Sequence, residues 1–195
     1  MRRIIYQNYW ASRKKIQSED ASISAWDNYN KTKYLHSFEK GNITLEEIAY
    51  KNHVAGLHYE VIILEDEKPA YYIVFVHKNK FVGVSFLDNS GREYLTYHFD
   101  EVEACKKLFL EEIWYNEYLD DETENMDYYL HFVFDREGNA AYRKYDEIAK
   151  KTIDYESSQP FDVSGLYEDY PEFGKYENLI KLERNIDILN DFIKK

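Results

Sequence analysis

The chain reads as a single α+β domain, an antiparallel meander sheet covered by helices, with an amphipathic helix at its C-terminus. Three observations predict this. Four strand-like runs follow one another at residues 57–64, 70–77, 81–88 and 92–99. The connections Lys78-Asn79-Lys80 and Asn89-Ser90-Gly91 are hairpin turns by residue type, because Asn and Gly tolerate the positive φ that a tight turn needs. Strands joined so closely must run antiparallel, since parallel pairing requires a long crossover. The third observation is the stretch 101–119, where Val102, Cys105, Phe109 and Ile113 recur at spacings of three and four, with Leu110 and Trp114 widening the apolar face. That spacing predicts one amphipathic helix closing the unit.

In chain order, residues 1–56 form a helical and loop region, 57–155 the sheet and helix core, and 156–195 an irregular segment and the last helix. Residues 2–17 fit a helix with Ile5, Tyr9 and Ile16 opposite Arg13, Lys14 and Lys15. Residues 18–30 are polar, with Trp26 isolated, and read as a loop around a short helical turn. Thr44-Leu45-Glu46-Glu47 is a capping box, in which Thr and Glu satisfy each other's backbone donors, so a helix follows over 45–52 and Gly56 ends it. Residues 120–127 form an acidic loop. Strands at 128–135 and 140–145 turn on Arg136-Glu137-Gly138-Asn139, and 146–155 reads as helical. The stretch 156–174 holds two of the three prolines and is irregular. The final helix, 177–195, places Leu179, Leu182, Ile186, Leu189 and Ile193 in a seam too short for a coiled coil, so packing on the body, and a monomer, is favoured over a homodimer.

Composition narrows the function. The net charge of −12 is uneven: residues 1–40 carry eight Lys/Arg and four Asp/Glu, and residues 41–195 carry seventeen and thirty-three. Such a body repels nucleic acid and anionic membrane and attracts basic partners. One cysteine excludes an internal disulfide and a multi-Cys zinc site. No signal peptide and no apolar run of about 18–20 residues is present, so a cytoplasmic protein is expected.

Chemistry-bearing motifs are missing. There is no glycine loop for phosphates, no His-Glu-x-x-His and no Gly-x-Ser-x-Gly. Of the six histidines (His36, His53, His58, His77, His98 and His131), four lie in predicted strands, where two could meet across a ladder. Asp120, Glu122 and Glu124 alternate like calcium ligands. However, Asn125 stands where an EF-hand requires Gly, and His131 where it requires Glu. No catalytic residue, metal site or cofactor is predicted. The informative pattern is acid interleaved with aromatic. Aromatic anchors ringed by charge make protein–protein hot spots, and acid steers a basic partner. The candidate partner-binding residues are Trp114, Glu117, Tyr118, Asp120, Asp121, Glu122 and Glu124, then Tyr155 and Glu156, then Tyr167, Glu168, Asp169 and Tyr170.

Three stretches carry a resemblance: Leu108-Phe109-Leu110-Glu111-Glu112; Tyr129 through Asn139; and Tyr142 with Tyr145-Asp146-Glu147-Ile148. Their succession resembles small bacterial immunity proteins of polymorphic and contact-dependent toxin systems, over about a quarter of the chain. The resemblance implies a stoichiometric inhibitor of a cognate toxin, with no catalytic residue to transfer; a basic nuclease domain is the natural target for an acidic protein. The rival readings are an enzyme with a His/carboxylate site in a sheet cleft and a non-catalytic adaptor or regulator.

Overall fold

The computed structural model describes residues 1–76, 80–103, 105 and 107–184. The chain divides into two compact units, Met1–Glu93 and Tyr94–Lys195. Both are built on antiparallel meander sheets, as the four-run pattern predicts. The predicted Lys78-Asn79-Lys80 turn falls mostly outside the described residues.

In the first unit, the predicted helix over 2–17 is instead β1 (Arg2–Ile5), β2 (Tyr9–Trp10), a 3₁₀ turn at Ala11–Arg13 and β3 (Lys15–Ile16). The adjacent Tyr9 and Trp10 explain the difference. Side by side they take opposite faces of a strand, with Tyr9 buried and Trp10 exposed. The predicted loop at 18–30 is a full helix, α1 (Glu19–Asn30). Ser18 caps it by accepting a hydrogen bond from the Ala21 N–H, and Glu19 and Asp20 favour the positive end of its dipole. Trp26 is fully buried, and its indole N–H donates to Asn8 Oδ1 at 2.6 Å.

A short helix α2 (Leu35–Glu39) follows, then α3 (Leu45–Val54), which begins on the predicted capping box. Accepting the Thr44 donors holds the Glu47 carboxyl below the usual carboxylate range. The sheet has the order β1, β4 (Tyr59–Glu65), β5 (Lys68–Val76), β6 (Phe81–Leu87). β4 is buried on both faces, hence its unbroken apolar run. Ile62 and Leu64 pack with Tyr9 and Leu87. Tyr59 stacks on Phe75 and meets His53 of α3. The Asn89-Ser90-Gly91 turn forms as predicted, with Gly91 at φ +78°. A Cβ there would lie 2.6 Å from the Tyr9 hydroxyl, which donates to the Gly91 carbonyl.

The second unit departs most from expectation. The stretch 101–119 is no helix; it contains the end of β7 (Glu93–Val102) and β8 (Lys107–Tyr118). The pairing of β7 with β8 jumps from Phe99↔Leu110 to His98↔Glu112, leaving Glu111 as an extra residue. That bulge shifts the core-facing positions from Leu108 and Leu110 to Ile113 and Tyr115, so Leu110 and Ile113 stand three apart; Phe109 between the first two is also buried, packed on Tyr167, and the run of buried residues mimics a helical face. Cys105, expected on the helix's apolar face, is exposed in the β7–β8 connection.

β9 (Met126–Phe134) and β10 (Ala140–Asp146) form the predicted hairpin. The Asp135 carboxylate closes it, accepting from the N–H groups of Glu137 and Asn139 and from the Asn139 amide. The predicted helix over 146–155 is a turn followed by β11 (Lys151–Glu156), whose Thr152, Ile153 and Tyr155 suit a strand. β12 (Tyr167–Asp169) pairs with Lys107–Phe109, the part of β8 that β9 leaves free. The second unit has no α-helix among the described residues. Leu166, Tyr176, Leu179 and Ile180 are buried instead, and Tyr97 donates to the Leu182 carbonyl. Residues 177–180 form a turn and 181–184 are irregular in place of the predicted helix; Leu179 is buried and Leu182 is exposed, while 185–195 lie outside the described residues. No helix of the described residues is long and apolar enough to cross a membrane.

Candidate functional site: the open face of the second sheet

One face of the second unit's sheet is core, with Ile113, Tyr115, Leu130, Phe132 and Phe134 buried. The other face is open, and the register lays its side chains in cross-strand rows. One row runs Thr96, Trp114, His131, Arg143, Asp154. A second runs His98, Glu112, Val133, Ala141, Glu156, and a third Asn116, Tyr129, Tyr145, Thr152.

Directly opposed residues pair within these rows. The Trp114 and His131 rings stack at 3.8 Å and 10°, and Tyr129 and Tyr145 at 4.3 Å and 16°. Arg143 forms a two-pronged ion pair with Asp154, which holds the Asp154 carboxyl below its ordinary range. The rings stand like books on a shelf, so they present edges and polar ends outward rather than flat faces.

Glu112 is the polar centre. Its Oε2 accepts from the Trp114 indole at 3.4 Å and lies 3.3 Å from His131 Nε2 and 3.4 Å from His98 Nδ1. Burial pushes its pKa up, but the His131 charge, the indole and imidazole hydrogen bonds and His98 outweigh this and hold it below the carboxylate range. Beside it, burial and the facing Asp100 push Glu111 up. Because Glu112 is lowered in the folded state, its stabilising contribution is present above the unfolded value of 4.5 and is lost as pH falls through the lower folded value. Acid titration followed by circular dichroism should therefore show Glu112→Gln flattening the stability loss below about pH 4.5. An unchanged acid limb would remove Glu112 from this role. Among the described residues, no group of three or more His, Cys, Asp or Glu is disposed to hold a metal ion.

The candidate partner-binding residues fall in several places. Trp114 and Glu156 share the open face. Glu117 accepts from the Tyr115 hydroxyl, and Tyr118 ends β8 opposite Met126. Asp120, Asp121, Glu122 and Glu124 are exposed in the β8–β9 loop, where Asp120 accepts from the Glu122 and Thr123 N–H groups and so shapes the loop. Tyr155 lies on the opposite face, stacked on Tyr142 at 4.3 Å. Tyr167 packs on Phe109, and Asp169 is exposed near Lys107. Tyr170 is largely withdrawn from solvent, which pushes its hydroxyl pKa up. Glu168 is a correction: it is buried and held by Arg184 and Lys181, so it braces the fold and presents nothing to a partner. Tyr129, His131, Arg143, Tyr145 and Asp154 were not singled out from the sequence, although the alternation Tyr129-x-His131-x-Val133 marks an outward row.

Compared with protein-family models, curated proteins and solved structures, the chain matches none.

Proposed function

We propose that this is a binding protein of the bacterial cytoplasm, an immunity protein that neutralises a cognate toxin with a basic surface, such as a nuclease domain. The observation that carries the reading is charge segregation between the two units. Residues 1–93 hold thirteen Lys/Arg and twelve Asp/Glu, whereas residues 94–195 hold twelve and twenty-five. The excess acid lies in the unit that also carries the open aromatic face and the exposed acidic loop. Acid on that unit speeds encounter with a basic partner, and the rings anchor it once water is expelled.

The test is binding to the product of the adjacent toxin gene on a biosensor at several salt concentrations, with growth protection in parallel. Asp121→Asn, Glu122→Gln and Glu124→Gln together should lower the association rate and flatten its salt dependence. Trp114→Ala should speed dissociation by a factor equivalent to about 1–3 kcal/mol. No binding by the wild type would overturn the proposal.

Glu112 between His98 and His131, next to Glu111 with its opposite shift, favours a second reading as an acid–base enzyme, since carboxylates pushed apart in pKa divide such roles. Turnover abolished by both Glu112→Gln and His131→Gln would select it over binding.

A further inference from the structure

We propose that β11 is a docking edge on which a basic, extended segment of the partner protein pairs as an added strand. This rests on the binding reading above.

β11 pairs with β10 alone among the described residues, in unbroken register from Ala141↔Glu156 to Asp146↔Lys151. The direction of its backbone groups follows from the next residue. The Ser157 N–H donates to the Ala140 carbonyl at 2.8 Å, one step along the same register. Hydrogen-bonded pairs alternate in an antiparallel ladder, so Lys151, Ile153 and Tyr155 turn their backbone groups to β10. Thr152, Asp154 and Glu156 therefore turn theirs outward, to the free edge.

Natural edges are usually guarded by charged side chains, proline, bulges or a cover. β11 has no proline and no register shift, and all six residues are exposed; its guards are the charges of Lys151, Asp154 and Glu156, which leave the backbone edge open to a strand of complementary charge. Ile153 and Tyr155 remain 44% and 42% exposed, an apolar row that a strand alongside would cover.

Charge names the occupant. The unit's excess of acid disfavours a second copy of itself and favours a basic chain. Beside the edge lies a hollow of about 220 Å³ lined by Val133, Ala141, Arg143, Asp154, Tyr155 and Glu156. Asp154 is already paired with Arg143, so Glu156 is the carboxylate there that meets an incoming Lys or Arg.

The experiment uses the full chain and a capped decapeptide of alternating Lys and Val, followed by amide chemical shifts. Binding should move the Thr152, Asp154 and Glu156 amides, and N-methylation of alternate peptide nitrogens on one edge should abolish the shifts. Thr152→Pro removes an outward N–H while sparing the β10 ladder, and should weaken peptide and toxin binding by about tenfold or more with the fold intact. Shifts confined to the Trp114 face, or a self-associated dimer that Thr152→Pro dissolves, would overturn the docking edge. Toxin bound equally well by Thr152→Pro would overturn it while leaving the immunity reading standing. A wild type that binds no toxin but shifts with the peptide would do the reverse.

Discussion

Glu60→Ala is expected to destabilise the protein by about 3–5 kcal/mol, because it removes one member of a buried polar chain and strands the others. His58 and Glu60 are buried in the first unit. His58 Nδ1 lies 2.9 Å from the Phe75 carbonyl, which can only accept, so Nδ1 carries its hydrogen. Nε2 then faces Glu60 Oε1 at 3.1 Å. The other Glu60 oxygen accepts from the Tyr72 hydroxyl, whose pKa burial and the Glu60 charge push far up. Asn30 clamps the His58 backbone from both sides, donating to its carbonyl and accepting from its N–H. Glu60→Gln keeps an acceptor for Tyr72 and a donor for Nε2, so its loss should be much the smaller. Urea unfolding of both variants measures this. Equal stability of Glu60→Ala and wild type would show that the chain of bonds contributes nothing net.

Arg184→Ala should cost a similar amount, about 3–5 kcal/mol, for the same reason at the other buried pair. The guanidinium donates to Glu168 Oε1 at 2.8 Å and to the carbonyls of Asn178 and Leu179 at 3.3 Å, and it sits over the rings of Tyr97 and Phe99. Without it, Glu168 on β12 keeps only Lys181 among the described residues, and the Lys181 side chain is half exposed. A well-packed apolar pair avoids the stranded charge, so Arg184→Met with Glu168→Leu should recover most of the loss. A double variant as unstable as Arg184→Ala alone would mean that the ion pair itself carries the energy, and one as unstable as the sum of the single changes would mean that the two residues are not coupled.

What the residues specify locally was legible without the structure. The Thr44–Glu47 capping box, the Asn89-Ser90-Gly91 turn and the hairpin at Arg136–Asn139 each depend on chemistry within about four residues, and each forms as read. The first helix was equally local, since Ser18 before Glu19-Asp20 is a start signal, but its polar composition hid it.

β8 was misread because its period is not its own. The bulge at Glu111 exists only through pairing with His98 and Phe99, and it sets the core-facing Leu110 and Ile113 three apart, while Phe109 is buried by Tyr167 of β12, so the buried residues mimic a helical face. The open face was hidden for the same reason. His98, Glu112 and His131 meet because register aligns three strands, and Trp114 finds His131, or Arg143 finds Asp154, only across a ladder. By itself the sequence determined the sheet class, the antiparallel turns and the excess of acid, since these need only composition and near neighbours. Tertiary structure alone decided which side chains share a face, because a one-residue change of register sends a side chain to the opposite side of the sheet.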